Sequence, residues 1–282
     1  MNLHLIETGT FKLDGGAMFG VVPKVIWQNL LIPDDTNRVE LSMRCCLIET
    51  ADRLILIDSG IGNKQKGKFI QYFSPENTHL LHDNLAKKGF LPDDITDVIL
   101  THLHFDHAGG AIRLDASHTL LPAFPRATYW VSDLQWKTAL HPSVKEAPSF
   151  LGENFRALID WGILKFVPCT PDPVAFLPGL TLRFVHGHSP GMMLPVIQLK
   201  NRTFVFCADL IPTMHHLSLS YIIAYDVEPL KTIMERNELI EEAILHQYIL
   251  IFEHDPVHRW VTLVRQEDGK IKALPFLLGE FD

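Results

Sequence analysis

"THLHFDHAGG" (Thr101–Gly110) sets three histidines and one aspartate within six positions, directly after the apolar run "DVIL" (Asp97–Leu100). A short apolar run bounded by polar residues reads as a buried strand, so the imidazoles and the carboxylate stand where that strand ends. Continued as extended chain, the two-residue alternation puts His102, His104 and Asp106 on one side, and His107 follows as the chain turns into Gly109-Gly110. Imidazole nitrogen and carboxylate oxygen are donors that suit Zn²⁺. Mn, Fe and Co stay open, because geometry more than affinity decides which ion occupies such a site. One strand exit thus faces two divalent metal ions and closes neither site.

The missing donors are expected at the ends of other apolar runs. His188 follows "LTLRFV" in "VHGHSPG", Asp209 follows "TFVFC" in "CAD", and His254 follows "YILIF" in "FEHD". Donors that converge from separate strand ends make a rigid platform, which scattered surface histidines do not. The chain has 15 histidines, so most need another account. His186 lies inside its strand run and is expected to pack or to support a ligand, and His258 is expected to be solvated. Cys207 lies two residues before Asp209 and would share its face in an extended strand, but Asp209 is the one that sits where the strand opens.

Composition narrows the class. In 282 residues, 47% are hydrophobic and 21% charged, the balance of a soluble globular protein that needs no staples. Four cysteines (Cys45, Cys46, Cys169, Cys207) are too few and too irregularly spaced for a disulfide framework, which fits a reducing cytoplasm. A net charge of −8 argues against nucleic acid and anionic membranes as partners, since both need clustered Lys and Arg. "MNLHLIETGT" (Met1–Thr10) lacks the basic and apolar regions of a signal peptide, and no run approaches the roughly 18 apolar residues of a membrane span.

Further strands are read at "CLIE" (Cys46–Glu49), "LILID" (Leu54–Asp58) and "TYWV" (Thr128–Val131), several of them buried on both faces. Ser74-Pro75-Glu76 reads as a helix start, with Leu81 and Leu85 on its apolar face and a stop at Gly89. Leu230, Ile233, Ile240 and Ile244 mark a second amphipathic helix, and a third begins at Ser132. "EDGK" (Glu267–Lys270) predicts a hairpin between "WVTLVRQ" and "IKALPF". No linker or internal repeat divides the chain, so an α/β fold over residues 1–282 as one domain is expected, two packed sheets with helices outside.

In that setting the chain resembles the metallo-β-lactamase-fold hydrolases, through "LILIDSG", "THLHFDHAGG", "GHSPG", "CADLIPT" and "FEHD" in the family's order. "LDGGAMFGVVPK" (Leu13–Lys24), "ADLIPT" and "AYD" (Ala224–Asp226) are similar to the quorum-quenching N-acyl-homoserine lactonase-like branch. The resemblance implies an αββα sandwich of two mixed sheets packed face to face. It implies one metal held by His102, His104 and His188, another by Asp106, His107 and His254, with Asp209 bridging, and Asp58 as a carboxylate that orients a ligand histidine. Metallo-β-lactamases proper commonly carry Cys where Asp209 stands, and redox di-iron relatives carry Glu in place of His104, so neither activity fits this chain. The better-known lactonases have a Tyr three residues after the bridging Asp to help hold the substrate carbonyl. Here that position is Pro212, which leaves Tyr221 and Tyr225 as replacements.

The expected reaction is opening of an N-acyl-homoserine lactone-like ring by a metal-bridging hydroxide, with Asp106 carrying the proton. The chain has no G-x-S-x-G elbow that would point to a serine nucleophile. Rivals are a phosphotriester or general ester hydrolase on the same metals, and a non-catalytic metal-binding member of the fold. The loop "DGGAMFGVVP" (Asp14–Pro23) is expected near the site mouth, because Met18 and Phe19 would be costly as exposed surface. It caps an acyl pocket or contacts a second copy in a homodimer. "MHHL" (Met214–Leu217) follows Asp209 on a mouth loop, which makes His216 a candidate substrate contact.

Overall fold

The computed structural model describes residues 1–276, so residues 277–282 of the expected domain lie outside the described range. In chain order the strands are β1 (Asn2–Asp14), β2 (Arg38–Glu49), β3 (Leu54–Ile57), β4 (Asp97–Ile99), β5 (Ile112–Leu114), β6 (Leu120–Pro122), β7 (Thr128–Ser132), β8 (Leu164–Val167), β9 (Val174–Leu177), β10 (Leu180–Val185), β11 (Met192–Leu199), β12 (Arg202–Phe206), β13 (Ile249–Ile251), β14 (Trp260–Arg265) and β15 (Ile271–Pro275). The helices are α1 (Gly15–Phe19), α2 (Lys24–Trp27), α3 (Lys68–Phe73), α4 (Leu80–Lys87), α5 (Phe105–Ala108), α6 (Asp133–Leu140), α7 (Arg156–Asp160) and α8 (Pro229–His246).

One sheet runs β1-β2-β3-β4-β7-β8 and the other β15-β14-β13-β12-β11-β10-β9, with β5 and β6 as a separate ribbon. Both large sheets are mixed: β3, β4, β7 and β8 are parallel, as are β12 and β13, and the remaining pairs are antiparallel. The strands of the first sheet divide their side chains by alternation. Cys46, Ile48, Ile55, Ile57 and Ile99 enter one core with residues of the second sheet such as Leu182, Leu194 and Phe206. Cys45, Leu47, Leu56 and Val98 enter another with Leu81 and Leu85 of α4, Ala139 of α6 and Leu158 of α7. Strands apolar at every position are therefore covered on both faces, one by the opposing sheet and one by helices. On the far side α8 buries Leu239, Ile240 and Ala243 against the second sheet. This is the αββα sandwich expected from the sequence.

The Ser132 helix start stands: its hydroxyl accepts from Gln135 N and caps α6. The "EDGK" hairpin also forms, joining β14 to β15 antiparallel through Gly269 at φ +81°. Ser74 does not start a helix. It ends α3, at φ 40°, and α4 begins only at Leu80. The reason is non-local: Glu76 exchanges backbone hydrogen bonds with Thr10, at 2.8 and 3.0 Å, which holds it as a bridge beside β1. Gly9 permits that approach, because a Cβ there would lie 2.3 Å from Glu76 O.

Candidate metal centre

The chain leaves β4 at His102 and His104, β10 at His188, β12 at Asp209 and β13 at His254. Parallel pairing of β3 with β4 and of β12 with β13 puts these exits at the same ends of their sheets. The extended reading of "HLHFD" is corrected here: β4 stops at Ile99 and Phe105–Ala108 winds a helical turn, α5, so His102 and His104 face one way while Asp106 and His107 serve the neighbouring position. The two glycines that follow make the turn fit. A Cβ on Gly110 would lie 2.0 Å from Ser59 O, and one on Gly109 would lie 2.2 Å from Ile61 O, so only glycine lets α5 rest on the loop leaving β3. At the end of β12, Ala208 takes φ 42°, a strained turn for a residue with a Cβ, and it presents Asp209 to the centre.

The structure brings together all seven donors named from the sequence. His102, His104, His188 and Asp209 offer donor atoms within 4.8 Å of one another, and so do Asp106, His107 and His254. Asp209 spans the two groups: its Oδ2 lies 3.1 Å from His188 Nε2 and its Oδ1 2.9 Å from His254 Nε2.

The outward nitrogens settle how each imidazole is protonated. His188 Nδ1 meets Asp226 Oδ1 at 2.9 Å, His254 Nδ1 meets Ser42 O at 2.8 Å, and His104 Nε2 meets Glu146 Oε1 at 3.2 Å. His107 Nδ1 meets Asp58 Oδ2 at 3.1 Å, and His102 Nδ1 meets Thr101 Oγ1 at 3.1 Å, a hydroxyl already donating to Asp58. Carbonyl and carboxylate oxygens only accept, so each ring, when neutral, carries its proton outward and turns a bare lone pair inward. Two of those inward pairs then face each other: His188 Nε2 lies 3.2 Å from His104 Nδ1, and His254 Nε2 lies 3.2 Å from His107 Nε2. His102 Nε2 and Asp209 Oδ1 are buried with no hydrogen-bond partner. Lone pairs crowded on lone pairs, with acceptors left orphaned, are what a pair of divalent cations would satisfy, and the donor set fits them.

The electrostatics agree. Burial opposes a charge on His188 and His254, yet the Asp209 carboxylate outweighs it and pushes them up to about 10 and about 9. His102, which burial and then the neighbouring imidazoles penalise, falls well below its ordinary value. The field at this point draws positive charge, whether as protons or as metal ions.

A cavity of about 140 Å³ opens over the donors. His104, Asp106, His188 and Asp209 form its floor, and Leu13, Phe73, Phe105, Pro148 and Tyr225 are among its walls. Of the two tyrosines, Tyr225 lines the cavity, and burial pushes its phenol up to about 12. Tyr221 stands edge-on against Phe19, with ring centroids 5.9 Å apart. Met18, Phe19 and His216 do not line the cavity. All three are buried: His216 Nε2 meets Met18 O at 2.8 Å, and Phe19 stacks on His216 and Trp27, with centroids 5.3 and 5.5 Å apart. The loop expected at the mouth therefore winds into α1, leads into α2 and closes under apolar side chains. Cys207 points into the core between the sheets, away from the donors. His186 accepts from Gly191 N at 3.2 Å, a packing role, and His258 pairs with Asp255 at 3.4 Å.

Glu146, Asp226 and Glu253, which no sequence motif singles out as site residues, are buried carboxyl groups behind the ligand histidines. Asp226 lies within the quoted "AYD" and Glu253 within "FEHD", but their partners stand far off in sequence, at His188 and His107. The one available signal was an acidic residue closing an apolar run, as Glu253 closes "ILIF".

A family model described as the metallo-beta-lactamase superfamily matches residues 44–254. An N-acyl homoserine lactonase of Bacillus thuringiensis is 26% identical over 165 residues, covering 54% of this chain and 57% of that protein, so the match spans little more than half the length of that curated relative. Among solved structures, a probable metal-dependent hydrolase from Staphylococcus aureus superposes with a TM-score of 0.86 at 29% identity, covering 98% of this chain and 97% of that one. AidC, a dizinc quorum-quenching lactonase in complex with its product, superposes at 0.76 with 20% identity over 98% and 94% of the two chains, a likeness of fold.

Proposed function

Because the chain belongs to the metallo-beta-lactamase superfamily, we propose that it is a metal-dependent hydrolase that opens a lactone ring of the N-acyl-homoserine type, with two zinc ions per chain. The observation that carries this reading is the set of seven buried donors, four of which floor a cavity with apolar walls. His102, His104 and His188 would hold one ion and Asp106, His107 and His254 the other, with Asp209 shared between them. Divalent ions held there supply a Lewis acid for the carbonyl oxygen and ionised water at neutral pH.

The protein's own groups do the rest. Asp106 lies 3.6 Å from both His107 Nε2 and His254 Nε2 and faces the cavity, so it takes a proton from the attacking water and returns it to the ring oxygen as the ester bond breaks. The Tyr225 hydroxyl donates to the substrate carbonyl, the part that a Tyr after the bridging Asp plays in the better-known lactonases. Leu13, Phe73 and Phe105 cover the acyl tail and keep bulk water from the reacting carbonyl. Met18, Phe19 and His216 support this wall from behind. A cavity of about 140 Å³ is small beside usual ligand pockets of about 300 Å³ or more, which favours a lactone with a short tail.

Turnover of a lactone panel by metal-loaded protein, followed by pH-stat and product mass, tests the reading. Ring-opened acid from a short-chain lactone is the expected product. Preferential turnover of an aryl ester or phosphotriester over every lactone would move the chain to that substrate class.

A further inference from the structure

Of the five inward-facing imidazoles, His107 alone meets two carboxylates on its outer nitrogen, Asp58 Oδ2 at 3.1 Å and Glu253 Oε2 at 3.0 Å. His104 and His188 back onto one carboxylate each, His102 onto a hydroxyl and His254 onto a carbonyl. A single N–H makes one strong hydrogen bond, and Asp58 is well placed to take it, since Thr101 N at 2.7 Å and Thr101 Oγ1 at 2.6 Å hold that carboxylate in line. Glu253 is left over. Its side chain is fully buried and neither carboxylate oxygen has a hydrogen-bond partner.

A buried carboxyl group without a partner is costly in such a place, and an apolar side chain of similar size would avoid that cost. The backbone here is fixed: Glu253 O accepts from Ser42 Oγ at 2.6 Å and from Arg44 N at 3.1 Å. A carboxyl group on the far side of an imidazole orients the ring and raises the donor strength of its other nitrogen. We propose that Glu253 is a positioning residue that acts through His107 to strengthen cation binding at the Asp106–His107–His254 position relative to the His102–His104–His188 position. This rests on the reading of the centre as two metal positions.

Cobalt(II) titration of metal-free protein, followed by its visible absorption, tests it in two backgrounds. His102→Ala leaves the second position to bind alone, and His254→Ala leaves the first. Adding Glu253→Gln should weaken binding about 10- to 100-fold in the His102→Ala background and leave it unchanged in the His254→Ala background, since loss of a ligand's outer partner typically has an effect of that size. Glu253→Leu, which removes the buried carboxyl group and needs no partner, should report the same where the amide variant does not fold. Equal affinities with and without Glu253, or equal losses in both backgrounds, would overturn the inference while leaving two metal positions intact. A third cobalt ion per wild-type chain, absent from Glu253→Gln, would overturn it too, because the ion would then sit between the carboxylates. Wild-type protein that takes up no cobalt would defeat both this inference and the metal reading beneath it.

Discussion

At the scale of single residues, the groups that orient the donors carry consequences as definite as the donors themselves. Asp226 is fully buried and holds the outer nitrogen of His188 at 2.9 Å. Asp226→Ala should lower metal affinity about 10- to 100-fold with little change in secondary structure, measured by competition with a coloured chelator. Tyr225→Phe removes the proposed carbonyl donor and should lower kcat for a lactone about 10²-fold while metal content stays full. His216 gives a prediction about stability. Burial, followed by the Arg236 charge, holds its imidazole down to about 3, so it stays neutral in the fold but is free to protonate near 6.5 once unfolded. Between those values the unfolded chain binds more protons, so the stability that His216 contributes is full above about pH 6.5 and is lost as pH falls toward 3. Denaturant titrations across that window should show a steeper fall for wild type than for His216→Gln, and parallel curves would remove His216 as the cause.

At the scale of elements, strands such as β3, β4 and β13 were readable because their runs are almost wholly apolar, and such a run with turn residues at both ends has few other ways to be buried. The donor positions followed from them, since His188, Asp209 and His254 each close one. The shape of "HLHFD" was not readable in the same way. Its donors converge whether the chain stays extended or winds into α5, and what decides is contact with the loop leaving β3, which neighbouring sequence does not reveal. Ser74 failed as a helix start for a like reason, since the bridge from Glu76 to Thr10 joins distant segments. The fit of α5 against the β3 exit makes Gly110→Ala a test of that account. Its Cβ would meet Ser59 O, a backbone atom, so we expect a loss of about 1–3 kcal/mol or more in urea unfolding together with reduced metal binding.

At the scale of the whole molecule, two sheets pack so that one end of each delivers donors to a common point, and buried carboxylates stand behind those donors. No helix among the described residues is long and apolar enough to cross a membrane. The buried partners Glu146 and Asp226 could not be told from ordinary acidic residues in the sequence, because what marks them is placement by the assembled fold. That assembly sets up the central claim, that the chain holds two divalent ions and hydrolyses with them. The most direct measurement is elemental analysis of purified protein paired with lactone turnover before and after chelation. About two transition-metal ions per chain are expected, as seven donors exceed the four of a single tetrahedral site, with activity lost on chelation and restored by zinc. Full activity in protein carrying one ion per chain, or none, would contradict the account.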